Sequence, residues 1–318
     1  MNGKKSPKWF RYFRVFGVVL FFSLLFSIDL NEVWANLKKV KLSYFLLAVL
    51  FQVIMLCVKG LRWHLLKKAD FLVNSLLLNF GTFFESYAIG VVTPGRIGEL
   101  AKSGYENSNR DKWSCALKVL AERGFDLGIF FFIAGYYLYI YNLLSANKII
   151  SQLIIGGALC LILTSIVLLV KNRLKTWIQN KIVVKLFKCK QNNNEEFNFN
   201  YYELISIFFL SLCGNLATFI SCFFLAKGIN LGSSFWLTSG AVAVTGVINL
   251  LPITVMGLGT REISFLYIFS EFNKSLVLAF SFLIFLVVQV GGGLIAMIMG
   301  QTLIYLWKKQ SKSLPSTA

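Results

Sequence analysis

Long apolar runs alternate with short polar connectors along this chain, and the run lengths predict helices rather than strands. Six runs, 10–28, 42–58 with its flanks, 124–141, 149–170, 203–226 and 276–306, match the about 20 residues that an α-helix needs to cross a bilayer. Two more, 72–92 and 236–251, are long enough but carry polar residues inside them. The first contains Asn79 and Glu85, the second Thr238, Ser239, Thr245 and Asn249. Each of the two ends at a break: Thr93-Pro94-Gly95-Arg96-Ile97-Gly98-Glu99, and Pro252-Ile253-Thr254-Val255-Met256-Gly257-Leu258-Gly259-Thr260-Arg261-Glu262. Proline removes a backbone donor and ends a helix, and glycine permits a sharp reversal. These two runs therefore read as hairpins that enter the membrane and leave on the side they came from.

With 57% hydrophobic and 14% charged residues among 318, and a mean hydropathy of +0.68, the chain holds more apolar surface than a soluble core can bury. The expected fold is an all-α polytopic integral membrane protein with six spanning helices plus two re-entrant helical hairpins; eight spanning helices is the alternative. Charge separates the two. With hairpins and a cytoplasmic N-terminus, 25 of the 32 basic residues fall on the cytoplasmic side, and both termini do too. Full crossing by 72–92 would move the basic stretches 93–123 and 171–202 outside, against the positive-inside bias.

The hairpin threading makes 1–318 a single transmembrane domain of two halves, about 10–141 and 149–307. Each half reads span, span, hairpin, span, and the two start from opposite sides. Landmarks recur at a near-constant offset: Leu42 to Glu203 is 161, Pro94 to Pro252 is 158 and Glu99 to Glu262 is 163. An inverted repeat is expected. In transporters that arrangement places interrupted helices and their free backbone groups near the midplane.

The formal net charge of +18 lies between apolar runs rather than on one amphipathic face, which excludes nucleic acid as a partner. The apolar run that follows Lys4, Lys5, Lys8, Arg11 and Arg14 reads as a retained anchor, because the cleavage-like Val33-Trp34-Ala35 lies well past its end. Cys57, Cys115, Cys160, Cys189, Cys213 and Cys222 show no paired spacing. His64 is the only histidine, placed here at the membrane interface, so a multi-histidine metal centre and a histidine-dependent triad are excluded. No cofactor is expected. The basic connector from Lys171 to Lys190 is expected to lie against anionic headgroups.

Ionisable groups at bilayer depth cost roughly 2.5–3.5 kcal/mol each on insertion scales, so each asks for a partner or a water-filled cavity. The candidates for substrate binding are Glu85 in the first hairpin arm; Pro94, Arg96, Gly98 and Glu99 at the first break; and Asn249, Pro252, Thr254, Gly257, Gly259, Arg261 and Glu262 around the second. Arginine offers forked donors to phosphate oxygens, and a helix N-terminus adds positive potential. The plainer reading pairs Arg96 with Glu99, and Arg261 with Glu262 or a headgroup, closing a turn. A third group, Glu122, Arg123 and Asp126, stands at the start of the 124–141 run. Helical spacing puts its two acids and one base on one face, able to neutralise itself or to take a cation or proton. Gly292, Ala296 and Gly300 form a small-residue stripe suited to close helix contact, with Gln289 and Asn215 as interhelical hydrogen-bond partners.

Three motifs in order, Thr93 to Glu99, Ala121-Glu122-Arg123-Gly124-Phe125-Asp126-Leu127, and Leu251 to Glu262, resemble the lysylphosphatidylglycerol synthase transmembrane region, also called the flippase-like domain family. The similarity covers nearly the whole chain. It implies a bacterial or archaeal inner-membrane protein, and in the synthases this region is associated with moving the aminoacylated lipid between leaflets. It carries over Pro94, Gly98, Glu99, Glu122, Arg123, Asp126, Pro252, Gly257, Gly259, Arg261 and Glu262. Arg96 stands where small residues are common in the family. With its end at Ala318 the chain is expected to lack the soluble aminoacyl-transferase domain and not to make the lipid itself. The expected function is a lipid translocase for a phospholipid, aminoacyl lipid or glycolipid, so the expected partner is a membrane lipid with an anionic or sugar headgroup. A membrane-embedded enzyme or accessory subunit in lipid-linked sugar or aminoacyl-lipid synthesis is the alternative, and a homo-oligomer or an envelope-biosynthesis partner stays open.

Overall fold

A computed structural model of the chain describes residues 30–68, 72–105, 109–141, 148–169, 201–249, 257 and 259–313. The run 10–28, the basic connector 171–190, Cys189, Pro252 and Thr254 lie outside them. Every regular element among the described residues is helical. In chain order these are α1 (Leu30–Lys38), α2 (Leu42–Leu66), α3 (Val73–Val92), a 3-10 stretch (Pro94–Tyr105), α4 (Asn109–Ile140), α5 (Lys148–Leu169), α6 (Tyr201–Gly228), α7 (Phe235–Ile248), α8 (Thr260–Ile268), α9 (Lys274–Ile284), a π-helical turn (Phe285–Gly291) and α10 (Gly292–Ser313). Four helical segments are long and apolar enough to cross a membrane: Leu42–Leu66, Val73–Val92, Tyr201–Gly228 and Lys274–Gln310.

Two boundaries differ from the sequence expectation, and both bear on the site. Helix α2 does not stop near residue 58 but runs on to Leu66, burying Lys59, Arg62 and His64. Helix α4 begins at Asn109 rather than near 124, and Cys115, Leu117, Val119 and Ala121, which point to different sides of it, are all buried. Glu122, Arg123 and Asp126 therefore sit in the middle of a helix, not at its start.

The chain reverses immediately after α3. The Thr93 hydroxyl donates to the Gly90 carbonyl at 3.0 Å and accepts the Gly98 amide at 2.8 Å, pinning both sides of the turn. The 3-10 stretch then returns along α3. A Cβ on Gly98 would lie 2.7 Å from the Ile89 carbonyl oxygen, and one on Gly90 would lie 2.6 Å from Glu99. Further back, the Tyr105 hydroxyl hydrogen-bonds to Glu85.

Helices α2 and α6 pack antiparallel along their whole length. The Lys41 amide donates to the Gly228 carbonyl at 3.0 Å, Ser221 Oγ to the Ala48 carbonyl at 2.8 Å, and Arg62 reaches Ser211. The helices that precede the two breaks pack on helices distant in the chain: α3 lies on α10 and α7 on α4. Gly81 meets Ile304 in the first contact, and Gly240 meets Tyr137 in the second. Two apolar cores result. One surrounds Trp63, Phe83, Phe84 and Phe125 beside the first hairpin, the other Phe265, Phe269, Phe280 and Leu283 beside α8.

Candidate functional site

Arg62 is the hub of a buried ion network that joins three helices. From α2 its Nη1 donates to Asp126 Oδ1 at 2.6 Å and to Ser211 Oγ at 2.7 Å, while Nη2 donates to Glu122 Oε1 at 2.7 Å and Asp126 Oδ2 at 3.2 Å. One turn earlier, Lys59 Nζ donates to Asp126 Oδ2 at 2.9 Å and to Asn215 Oδ1 at 3.0 Å. From the 3-10 stretch, Lys102 Nζ donates to Glu122 Oε2 at 2.6 Å, with the Trp63 and Phe83 rings beneath it. Charge-assisted bonds of this kind are the strong ones, and they offset the desolvation of groups buried as deeply as these.

A second layer covers the network on the hairpin side. Glu99 forms an ion pair with Arg123 and faces Arg96 at 3.9 Å. Arg96 holds its guanidinium over the Tyr87 ring, 5.1 Å from its centre. The structure thus brings the first break, with Arg96 and Glu99, against the separate group Glu122, Arg123 and Asp126, and adds Lys59, Arg62 and Lys102. Those three were counted among the basic residues of cytoplasmic connectors. The spacing held a clue: bases at 59 and 62 share a helix face and complement the acids at 122 and 126. His64 is also corrected. It is buried rather than interfacial, and its Nδ1 lies 3.0 Å from Asn79 Nδ2.

At the second break the arginine is closed on its own neighbour. Arg261 Nη2 and Nε donate to Glu262 Oε1 at 2.6 and 3.1 Å, Nε also to Ser281 Oγ at 2.9 Å, and Nη1 to Gln289 Oε1 at 3.3 Å. The other Glu262 oxygen accepts the Gly259 amide at 2.6 Å, the position of a helix-capping carboxylate. Asn249 accepts the Thr260 hydroxyl at 3.0 Å and packs on Gly257. Gly257 has φ +76°, and a Cβ there would lie 2.7 Å from the Asn249 amide. Gly257→Ala is expected to cost about 1–2 kcal/mol for the left-handed backbone alone, seen as a lowered thermal midpoint in detergent; an unchanged midpoint would remove the constraint. Gly98 and Gly257 are thus close-approach and turn positions. Of Pro94 the structure describes the backbone only, at the start of the 3-10 stretch. Glu85 lies on the flank of the first hairpin, with Tyr105.

A polar file connects the two breaks through the apolar interior. Arg96 stacks on Tyr87; Gln52 Nε2 reaches the Tyr87 hydroxyl oxygen at 3.4 Å and donates to the Val288 carbonyl at 3.2 Å. Val288 and Gln289 belong to the π-helical turn, whose wider winding leaves carbonyls open to side chains. Gln289 then meets Arg261. Gln52 Oε1 is buried with no protein partner. The small-residue stripe serves this packing: Gly292 lies against Gln52 and Gly300 against Glu85.

No curated protein matches the chain. The family model described as the lysylphosphatidylglycerol synthase TM region matches residues 14–296, and the chain belongs to that family. With its long apolar helices it is a multi-pass membrane protein.

Proposed function

We propose that this member of the lysylphosphatidylglycerol synthase transmembrane family moves a lipid between the two leaflets of its membrane. The headgroup passes between the two breaks while the acyl chains stay in lipid. The observation that carries the reading is the polar file Arg96, Tyr87, Gln52, the Val288 carbonyl and its neighbour Gln289, and Arg261. A headgroup cannot enter hydrocarbon without replacement partners for its water, and this file supplies donors and acceptors in sequence. Gln52, with a spare buried acceptor, stands at its middle. The cross-packed hairpins support alternate exposure of the two ends, in the manner of oppositely oriented halves.

Gln52→Leu tests the reading, since it interrupts the file without touching the ion network. The variant is expected to insert and purify as the parent does. Losing the polar step removes about 1–1.5 kcal/mol, which slows transfer of a labelled lipid in reconstituted vesicles roughly 5- to 10-fold. Transfer at the parent rate would sink the path, and a lipid product of altered mass would turn the reading towards an enzyme.

A further inference from the structure

We infer that the first hairpin is built for a headgroup carrying two negative charges and no ammonium, the chemistry of a phosphate monoester or diphosphate lipid. This rests on the translocase reading and narrows its cargo. The network linked through Glu99, Glu122 and Asp126 contains five bases, Lys59, Arg62, Lys102, Arg96 and Arg123, against those three acids. A formal excess of two positive charges remains. Glu85, a further acid on this hairpin among the described residues, is held by Tyr105 and lies near Lys308.

The excess is divided between two layers. The side chains of Lys59, Arg62 and Lys102 are 10, 1 and 0% exposed, and these three bases face two acids, Glu122 and Asp126, which leaves one positive charge in the layer beneath. Arg123 and Arg96 are 20 and 35% exposed and share the single carboxylate of Glu99. Two guanidiniums around one carboxylate leave donors for phosphate oxygens, which they bind as forks. Tyr87 lies under one of them. Uncompensated charge in an apolar surround is costly without a counter-ion, so an anion arriving there is favoured by the same term. An amine-bearing headgroup would add positive charge where, among the described residues, positive charge is already in excess and Glu85, Glu99, Glu122 and Asp126 are each engaged. The second break does not share this bias, because Arg261 and Glu262 neutralise one another.

The experiment uses the full chain in detergent micelles, with native mass spectrometry reading retention of added phosphatidic acid, phosphatidylglycerol, phosphatidylethanolamine and lysylphosphatidylglycerol. Phosphatidic acid is expected to be retained roughly tenfold more tightly than either amine-bearing lipid, with phosphatidylglycerol between them. Arg96→Asn and Arg123→Gln are each expected to erase most of that preference. Asparagine tolerates the left-handed backbone that Arg96 adopts at φ +55°, so its thermal midpoint in the absence of lipid should match the parent's. Equal retention of lysylphosphatidylglycerol or phosphatidylethanolamine overturns the assignment, as does a preference unchanged in both variants. Inorganic phosphate that raises the thermal midpoint as far as phosphatidic acid does would assign the site to a soluble anion instead. Vesicle transfer separates this inference from the reading beneath it: transfer without charge preference defeats only the headgroup class, and preference without transfer of any lipid defeats only the translocase.

Discussion

Replacing Arg62 with alanine is expected to give the largest loss of stability of any single change in this protein. The guanidinium is 1% exposed and bridges α2 to α4 and α6 through four hydrogen bonds. Its removal strands Glu122 and Asp126 with one lysine each, in a place where water cannot replace what is lost. Breaking a buried ion pair by deleting one partner costs about 3–5 kcal/mol. That is a large part of the about 5–15 kcal/mol that holds a typical domain together. The expected result is a sharp fall in folded yield and in the thermal midpoint. Arg62→Lys should recover only part of it, because an ammonium cannot fork to Glu122 and Asp126 together. If Arg62→Ala purified with the parent's midpoint, the network would not be what ties these helices.

Gly98→Val is expected to abolish lipid transfer. At this position the returning 3-10 stretch touches α3 backbone to backbone: a Cβ would lie 2.7 Å from the Ile89 carbonyl oxygen and 2.8 Å from its carbon. A flexible side chain could move aside, but a helix carbonyl cannot. Overpacking of this kind costs about 1–3 kcal/mol, and the stretch must lift away from α3 to relieve it. The next residue is Glu99, so the lift separates its carboxylate from Arg123 and Arg96. Transfer should fall to the protein-free background while a folded fraction remains. Gly104→Ala is the control, since nothing lies within 4 Å of a Cβ there, and it should transfer lipid at the parent rate. Normal transfer by Gly98→Val would show that the hairpin return does not need this contact.

Several elements were legible from run length alone. The runs read at 72–92, 149–170 and 203–226 are helices Val73–Val92, Lys148–Leu169 and Tyr201–Gly228, because in an apolar surround a chain must pair its own backbone groups, and a helix does so within one segment. The breaks were legible too, since proline and glycine act on the local backbone. The motifs around Glu99 and around Glu122, Arg123 and Asp126 stood out as two separate charged groups, and only the structure sets one against the other. Their partners were not legible. Lys59 and Arg62 follow an apolar run, where a basic residue ordinarily marks the end of a span and the start of a cytoplasmic connector, and the helix was stopped short of them for that reason.

What the sequence by itself determined is therefore the class of this protein, most of its long apolar helices and the two breaks that follow α3 and α7. Each follows from the hydropathy and backbone freedom of residues close together in the chain. The tertiary structure decided which charges are buried, which pair, and where positive charge is left over. Arg62 meets its acids 60 and 64 residues away, and Gln52 reaches a carbonyl 236 residues away. Whether a lysine or arginine faces water or an acid depends on the neighbouring helix, and that neighbour is fixed only when the whole bundle packs.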